Sequence, residues 1–322
     1  MAEPGREAVL EALARYGTSP LSFLVRYDAP WKAFESDGGV VCYLEGRRAA
    51  VGWSDPLCPN GTLPGVLRGF AAAMRAERRG ICLVAVSEET ARVAVESGFS
   101  ALKVGEEPWF DLASWRPPRG NRGKKLRWAV NHARRAAVTV DRLRPGDEDE
   151  IASVVERWRA SLRRPEPTSF MRTAPLEQAE RKRIFVARRE GRAEALLSCA
   201  ELPAANAWYL EDLLRVPESV NGTTELLVVE ALARLAADGA GAAAFALAPM
   251  RRVSAQLDPR ARFLGRLLAL SFRSFDRRYQ FRAIARYEAR FEPSEWRPRY
   301  IAFLPAFPRP AVVRAAVRYL RA

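Results

Sequence analysis

Apolar residues recur every three to four positions over residues 6–16, which predicts an amphipathic helix stopped at Gly17. The period then drops to two. It predicts short strands at Trp31–Phe34, Val40–Glu45 and Arg48–Trp53, the last two joined by the hairpin signal Glu45-Gly46-Arg47. Pro64–Arg78 returns to the helical period and closes at Gly80. Ile81–Val86 reads as a buried strand, Glu88–Ser97 as a helix ended by Gly98, and Phe99–Leu112 as a strand region. Arg116-Pro-Pro-Arg-Gly-Asn-Arg-Gly123 breaks both periods and reads as a linker. It feeds a basic helix, Lys124–Ala137, with Leu126, Ala129, Val130 and Ala133 on one face.

The second half repeats the plan. A strand at Val138–Leu143 and a helix at Asp147–Leu162 precede an Arg/Pro stretch, Arg163–Pro175, and a short helix. Strands follow at Ile184–Arg189, Ala193–Glu201 and Ala207–Leu214, then a helix at Thr223–Ala237, a strand at Ala242–Leu247, a helix at Arg260–Phe272 and a last strand at Tyr300–Phe303. Each half reads as a meander, a long helix, a strand, a helix and a final strand. This order is the plan of GNAT-type acyltransferases. The expected fold is mixed α/β (α+β), with tandem GNAT-like (acyl-CoA N-acyltransferase-like) domains. Residues 1–115 form the first, 116–137 a basic linker and connecting helix, and 138–322 the second.

Charge changes the picture. The 322 residues carry a formal net charge of +14, which implies attraction to polyanions such as tRNA, DNA or an anionic membrane face. Of the 52 cationic residues only five are Lys, a skew that weakens inference from any single Arg. No run approaches 18 apolar residues, and the acidic, Pro- and Gly-broken start has no signal core, so a cytoplasmic protein is expected.

The missing residue types exclude several chemistries. His132 is the one histidine, and neighbours Arg134 and Arg135 oppose an imidazolium there. Cys42, Cys58, Cys82 and Cys199 are widely spaced with no His partners, so no metal is expected. Arg188-Arg-Glu-Gly-Arg-Ala193 fits the coenzyme A pyrophosphate motif in letters but falls at a predicted hairpin tip. Carboxylates and cations remain. Glu211 and Asp212 lie in an otherwise apolar strand, where alternation sends them to opposite faces, so one at most enters a cleft. Asn221-Gly-Thr-Thr-Glu225 opens the longest helix of the second half, as a plain N-cap or as amides facing a ligand. Between Arg277 and Tyr300, seven arginines alternate with six aromatics, a composition suited to phosphates and flat groups.

Several segments carry a resemblance. They are Tyr16-Gly17 with Ser19 and Ser22-Phe23, Phe34 and Ser36, Ser54-Asp55-Pro56, and Gly98-Phe99 with Leu102-Lys-Val-Gly-Glu-Glu107. Lys125-Leu-Arg127, Ala129-Val-Asn131, Arg134 and Asn221-Gly222 follow, then Tyr279-x-Phe281-Arg282, Tyr287, Phe291, Pro293, Trp296, Pro298 and Tyr300. In this order they resemble the catalytic domain of the lysyl-phosphatidylglycerol synthases, the aminoacyl-phosphatidylglycerol synthase or multiple peptide resistance factor family. The resemblance implies tandem GNAT-like domains. It also implies transfer of an aminoacyl group from aminoacyl-tRNA to a hydroxyl of phosphatidylglycerol, with no cofactor. Family members usually carry an N-terminal multi-pass membrane region that these residues lack, so lipid would be met peripherally, through Val312–Arg321 for example. Lys is common at the equivalent of Glu288, and Asp near Glu225.

The expected site follows. Asp212 holds the aminoacyl amine or orients the acceptor hydroxyl, with Glu211 and Glu225 as further carboxylates. Arg282 and Arg290 grip phosphate beside Asn221, Tyr279, Phe281 and Trp296, while Lys125 and Arg127 face the tRNA. Two other classes stay open: a non-catalytic binder of nucleic acid or membrane surface, and a coenzyme A-dependent N-acyltransferase.

Overall fold

The structure, a computed structural model, describes residues 4–162, 172–249, 251–253 and 281–306, with the side chains of 281 and 282 outside that description. The predicted helix Arg260–Phe272, most of the Arg/Pro stretch, Tyr279 and Val312–Arg321 lie outside the described residues.

The first half runs α1 (Arg6–Tyr16), β1 (Trp31–Ser36), β2 (Gly39–Gly46), β3 (Ala49–Trp53), α2 (Leu63–Ala76), β4 (Gly80–Val86), α3 (Glu88–Glu96) and β5 (Ser100–Asp111). The helix α4 (Lys124–Arg135) connects it to β6 (Thr139–Arg142), α5 (Glu148–Ser161), β7 (Lys182–Arg189), β8 (Arg192–Leu202), β9 (Ala207–Arg215), α6 (Thr223–Ala237), β10 (Ala242–Phe245) and β11 (Ala248–Pro249). Beyond these come α7 (Phe281–Glu288) and β12 (Glu295–Leu304).

All twelve strands join one sheet in the order β1-β2-β3-β4-β12-β5-β10-β9-β8-β7-β6, with β11 also on β5. Among the described strands only β3–β4 and β9–β10 pair in parallel. Each half thus shows the same unit: a meander, then a helix (α2 or α6), then a strand parallel to the meander's last. The final strand departs from the expected order of domains. β12 lies between β4 and β5, so the unit we propose around residues 1–115 takes a strand from the chain's end.

Packing follows the same division, with one addition. One core cluster lies under α2 and α3, around Phe70 and Phe99, and another under α4 and α6, around Phe110 and Leu232. A third joins the halves, with Phe23, Tyr27 and Trp53 packed against Tyr209 and Ala244. The halves share a core as well as a sheet.

β12 also carries charge inward. Arg299, with its side chain 5% exposed, bridges Asp55 at 3.3 Å and the fully buried Glu107 at 2.6 Å. Burial pushes the Glu107 carboxyl up, and Arg299 pulls it back. Replacing Arg299 with Ala leaves Glu107 buried without its cation, which should cost about 3–5 kcal/mol in urea unfolding at neutral pH. The Glu107 pKa, already raised by burial, rises further in the variant, so the deficit should shrink as pH falls toward about 4 and the carboxyl is neutralised. A deficit independent of pH would contradict this.

Candidate functional site

The centre of the second half is the place where β9 and β10 part. Their parallel register runs from Ala207↔Ala242 to Leu210↔Phe245, and no β10 residue faces Glu211 or those after it. On its other edge β9 pairs with β8 through an irregularity between Leu197 and Cys199. There Ser198 meets two residues, Glu211 and Asp212, a β-bulge. Leu210 and Leu213 both pack on the α6 side, and Leu214 on the α5 side. Both carboxylates therefore point away from α6. This corrects the expectation from strict alternation, because one extra residue cancels the change of face.

The two acids meet a compact polar cluster. Lys182 Nζ lies 2.8 Å from Glu211, 2.7 Å from the Tyr27 hydroxyl and 2.9 Å from the Ala174 carbonyl, and its side chain is wholly buried. The Tyr27 hydroxyl donates to Glu211. Ser198 Oγ stands 3.3 Å from Glu211 and 3.4 Å from Asp212, and it accepts the Asp212 N–H at 3.1 Å. Lys182 thus balances Glu211, and Asp212 is left as the excess acid. Its carboxyl is pushed up to about 7, first by burial and then by the Glu211 charge, against the pull of Lys182. A carboxyl tuned this way exchanges its proton near neutral pH.

On the opposite face, α4 and the start of α6 enclose a cavity of about 740 Å³. Lys124, Lys125 and Trp128 of α4, Arg215, Asn221, Gly222, Thr224, Glu225, Tyr287 and Arg290 line it. Four expected site residues come together here: Lys125, Asn221, Glu225 and Arg290. Arg290 pairs with Glu225 at 2.7 Å, and Thr224 Oγ1 donates to Glu225 at 3.0 Å. Of the two readings of this helix start, the N-cap by Thr or Asn is not formed. Gly222 occupies that position without a side-chain cap, and Thr223 Oγ1 donates instead to the Val220 carbonyl at 2.8 Å. The α6 N-terminus therefore brings free amides and a positive dipole end to a basic cavity. His132 is tied down, its Nδ1 2.9 Å from the Asn221 carbonyl.

The remaining expected residues scatter. Glu211 and Asp212 lie across the sheet from this cavity. Arg127 donates to the Pro118 and Gly120 carbonyls at 3.0 and 2.8 Å and so fastens the linker to α4. Trp296 stacks under Arg251, whose guanidinium carbon is 3.7 Å from the ring centroid. Glu288 is buried with one carboxyl oxygen unbonded, and burial pushes it up to about 8. Phe281 and Arg282 begin α7, and Tyr279 lies outside the described residues. The Arg188–Ala193 motif is a hairpin tip, with Glu190 and Gly191 both at positive φ and Arg188 paired to Asp147 and Glu150. Its amides serve a turn.

Tyr27, Lys182 and Ser198 escaped the sequence reading. Scarcity was a signal for one of them. Of five lysines, Lys103 and Lys182 are buried and Lys124 and Lys125 line the cavity. A second cavity, of about 770 Å³, opens where β3 and β4 part. Its helix, α3, is capped by Ser87 and starts with Glu88 and Glu89, so it offers anions far less. Among the described residues no group of three or more His, Cys, Asp or Glu is placed to hold a metal, and no helix is long and apolar enough to cross a membrane.

Two meander-helix-strand units, each parting after a parallel pair, define a tandem GNAT-like fold. A family profile described as phosphatidylglycerol lysyltransferase, C-terminal, matches residues 11–303. The chain belongs to this family, transferases of the lysylphosphatidylglycerol synthetase type. The C-terminal (DUF2156) domain of an Agrobacterium fabrum protein named as a lysylphosphatidylglycerol synthetase superposes with a TM-score of 0.79 at 20% identity, covering 98% of this chain and 95% of that one. L-PGS from Bacillus licheniformis gives 0.79 at 18% identity over 99% and 98%. A Bacteroides thetaiotaomicron protein of unknown function gives 0.68 at 13% over 94% and 98%. At these identities the superpositions establish the fold. No curated protein matches the chain.

Gly222 offers a test of how the cavity is built. It sits at φ +92°, and a Cβ there would stand 2.0 Å from the Ala129 carbonyl oxygen of α4. Gly191, at φ +76°, has nothing within 4 Å of the same atom. Gly191→Ala should cost about 1 kcal/mol from backbone strain alone. Gly222→Ala should cost at least about 2 kcal/mol, because α4 must also move. Equal losses in thermal unfolding would show that α4 does not press on the α6 start.

Proposed function

We propose that the chain moves an aminoacyl group from aminoacyl-tRNA to a hydroxyl of phosphatidylglycerol, with the reacting ester at the open edge of β9. The observation that carries this reading is one juxtaposition: a strand edge that has no partner among the described residues after Leu210, beside a carboxyl poised near pH 7. An aminoacyl ester is already activated, so transfer to another hydroxyl needs alignment, a base and an oxyanion site. The acceptor oxygen attacks the ester carbonyl and Asp212 takes its proton. A free amide of the β9 edge stabilises the oxyanion. Collapse releases the ribose hydroxyl of the tRNA, which recovers the proton from Asp212.

Glu211, held by Lys182 and Tyr27, is a positioning residue that raises the proton affinity of Asp212. Across the sheet, Lys125, Arg290 and the open α6 start would meet RNA phosphates, while Glu225 orients Arg290. The parting of β9 from β10 gives the ester a route between the faces. Arg282, with Tyr279, Phe281 and Trp296, is proposed for the lipid side, which makes anionic phospholipid a peripheral partner.

The assay incubates the chain with radiolabelled aminoacyl-tRNAs and phosphatidylglycerol vesicles, then counts extracted lipid. Labelled lipid is expected, and its absence with every amino acid would overturn the reading. Asp212→Asn should lower the rate at least about a hundredfold without unfolding the chain. The wild-type rate should rise with pH through about 7, as Asp212 loses its proton. A flat profile from pH 6 to 8 would remove Asp212 as the base. Stability should move oppositely. The folded pKa lies above the unfolded one, so ionising Asp212 costs stability as pH rises toward 7. Asp212→Asn should therefore be more stable than wild type at pH 8 and not at pH 4.

A further inference from the structure

We infer that Trp128 and His132 form a stacking platform for the terminal nucleobase of the RNA entering the α6-side cavity, an inference resting on the aminoacyl-tRNA reading. Trp128 is 61% exposed, and the other seven tryptophans are buried or half-buried. Core packing does not explain its position. The buried face of α4 is Leu126, Ala129, Val130 and Ala133, and Trp128 projects off it into the cavity rim. An indole at a cavity rim gains free energy when a flat ligand covers its open face.

The ring is also held ready. His132, one helical turn on, lies nearly parallel to it, with centroids 5.2 Å apart and planes at 22°. The imidazole is fixed in turn by its contact with the Asn221 carbonyl, 2.9 Å away. Two stacked rings fixed this way offer a flat surface at little ordering cost. Around them stand Lys124, Lys125 and Arg290 on the cavity, with exposed Arg119 and Arg122 on the approaching linker. An aromatic surface ringed by cations fits a stacked base whose phosphates lie alongside. The last base of a tRNA is unpaired, adjoins the ester, and would place the ester inward of the platform.

The test compares the binding of unfractionated intact tRNA with that of the same tRNA trimmed of its 3′-terminal adenosine. Wild type should bind intact tRNA roughly tenfold more tightly than trimmed. Trp128→Ala should bind both alike, at the wild type's trimmed affinity, and Trp128→Phe should keep most of the difference. Unchanged thermal unfolding of Trp128→Ala would exclude a folding defect. A wild type that does not distinguish the two RNAs, or a Trp128→Ala that still does, overturns the platform while leaving tRNA-dependent transfer standing. Loss of vesicle binding by Trp128→Ala with base discrimination intact would assign the indole to the membrane and overturn it equally. If wild type binds neither RNA and makes no labelled lipid, the platform and the transfer reading fall together.

Discussion

Strands β4 and β5 share no ladder; each turns its facing backbone edge toward β12, which arrives from the end of the chain. Buried N–H and C=O groups must be paired, so without this returning strand the middle of the sheet would be open. One segment therefore closes the first half, fuses it to the second and places Arg299 against Asp55 and Glu107. With β5 held this way, β10 can pair antiparallel on its other edge, and β9 parallel on β10. The parting of β9 from β10 at Glu211 is built on that frame.

The second decisive feature is a single extra residue. At Ser198 the bulge turns Glu211 and Asp212 to one side, where one lysine serves two acids. Had the strand stayed regular, Asp212 would face the α6 core and Glu211 would be a plain ion pair. Crowding two carboxylates around one cation leaves a proton in play near neutrality. The opposite face of the same strand meets the basic cavity, so its cations and the acid pair are kept apart by one layer of backbone.

Much of this was legible in the sequence, and the failures have physical causes. The helix Thr223–Ala237 agrees residue for residue, because its apolar positions and bounding glycines are unambiguous. β12 begins five residues before the predicted Tyr300. Its start, Glu295-Trp-Arg-Pro-Arg299, alternates charges and holds a proline, which argues against a central strand. The structure removes the conflict: Pro298 pairs only with β5, since pairing with β4 begins at Tyr300, so that stretch is an edge lining the second cavity. The bulge left no mark in residue type, because alternation cannot show where a register slips. Arg127, read as a tRNA contact, also donates to two linker carbonyls, a local contact that spacing does not reveal.

The central claim is that the aminoacyl end of the RNA lies at the open edge of β9. Backbone hydrogen exchange with a tRNA carrying lysine through a non-hydrolysable amide tests it most directly. The account predicts slowed exchange at Glu211–Leu213 and at Thr224–Glu225, with the Asp55–Thr90 cavity unchanged. Protection confined to that second cavity, or none at β9 with RNA bound, would contradict it.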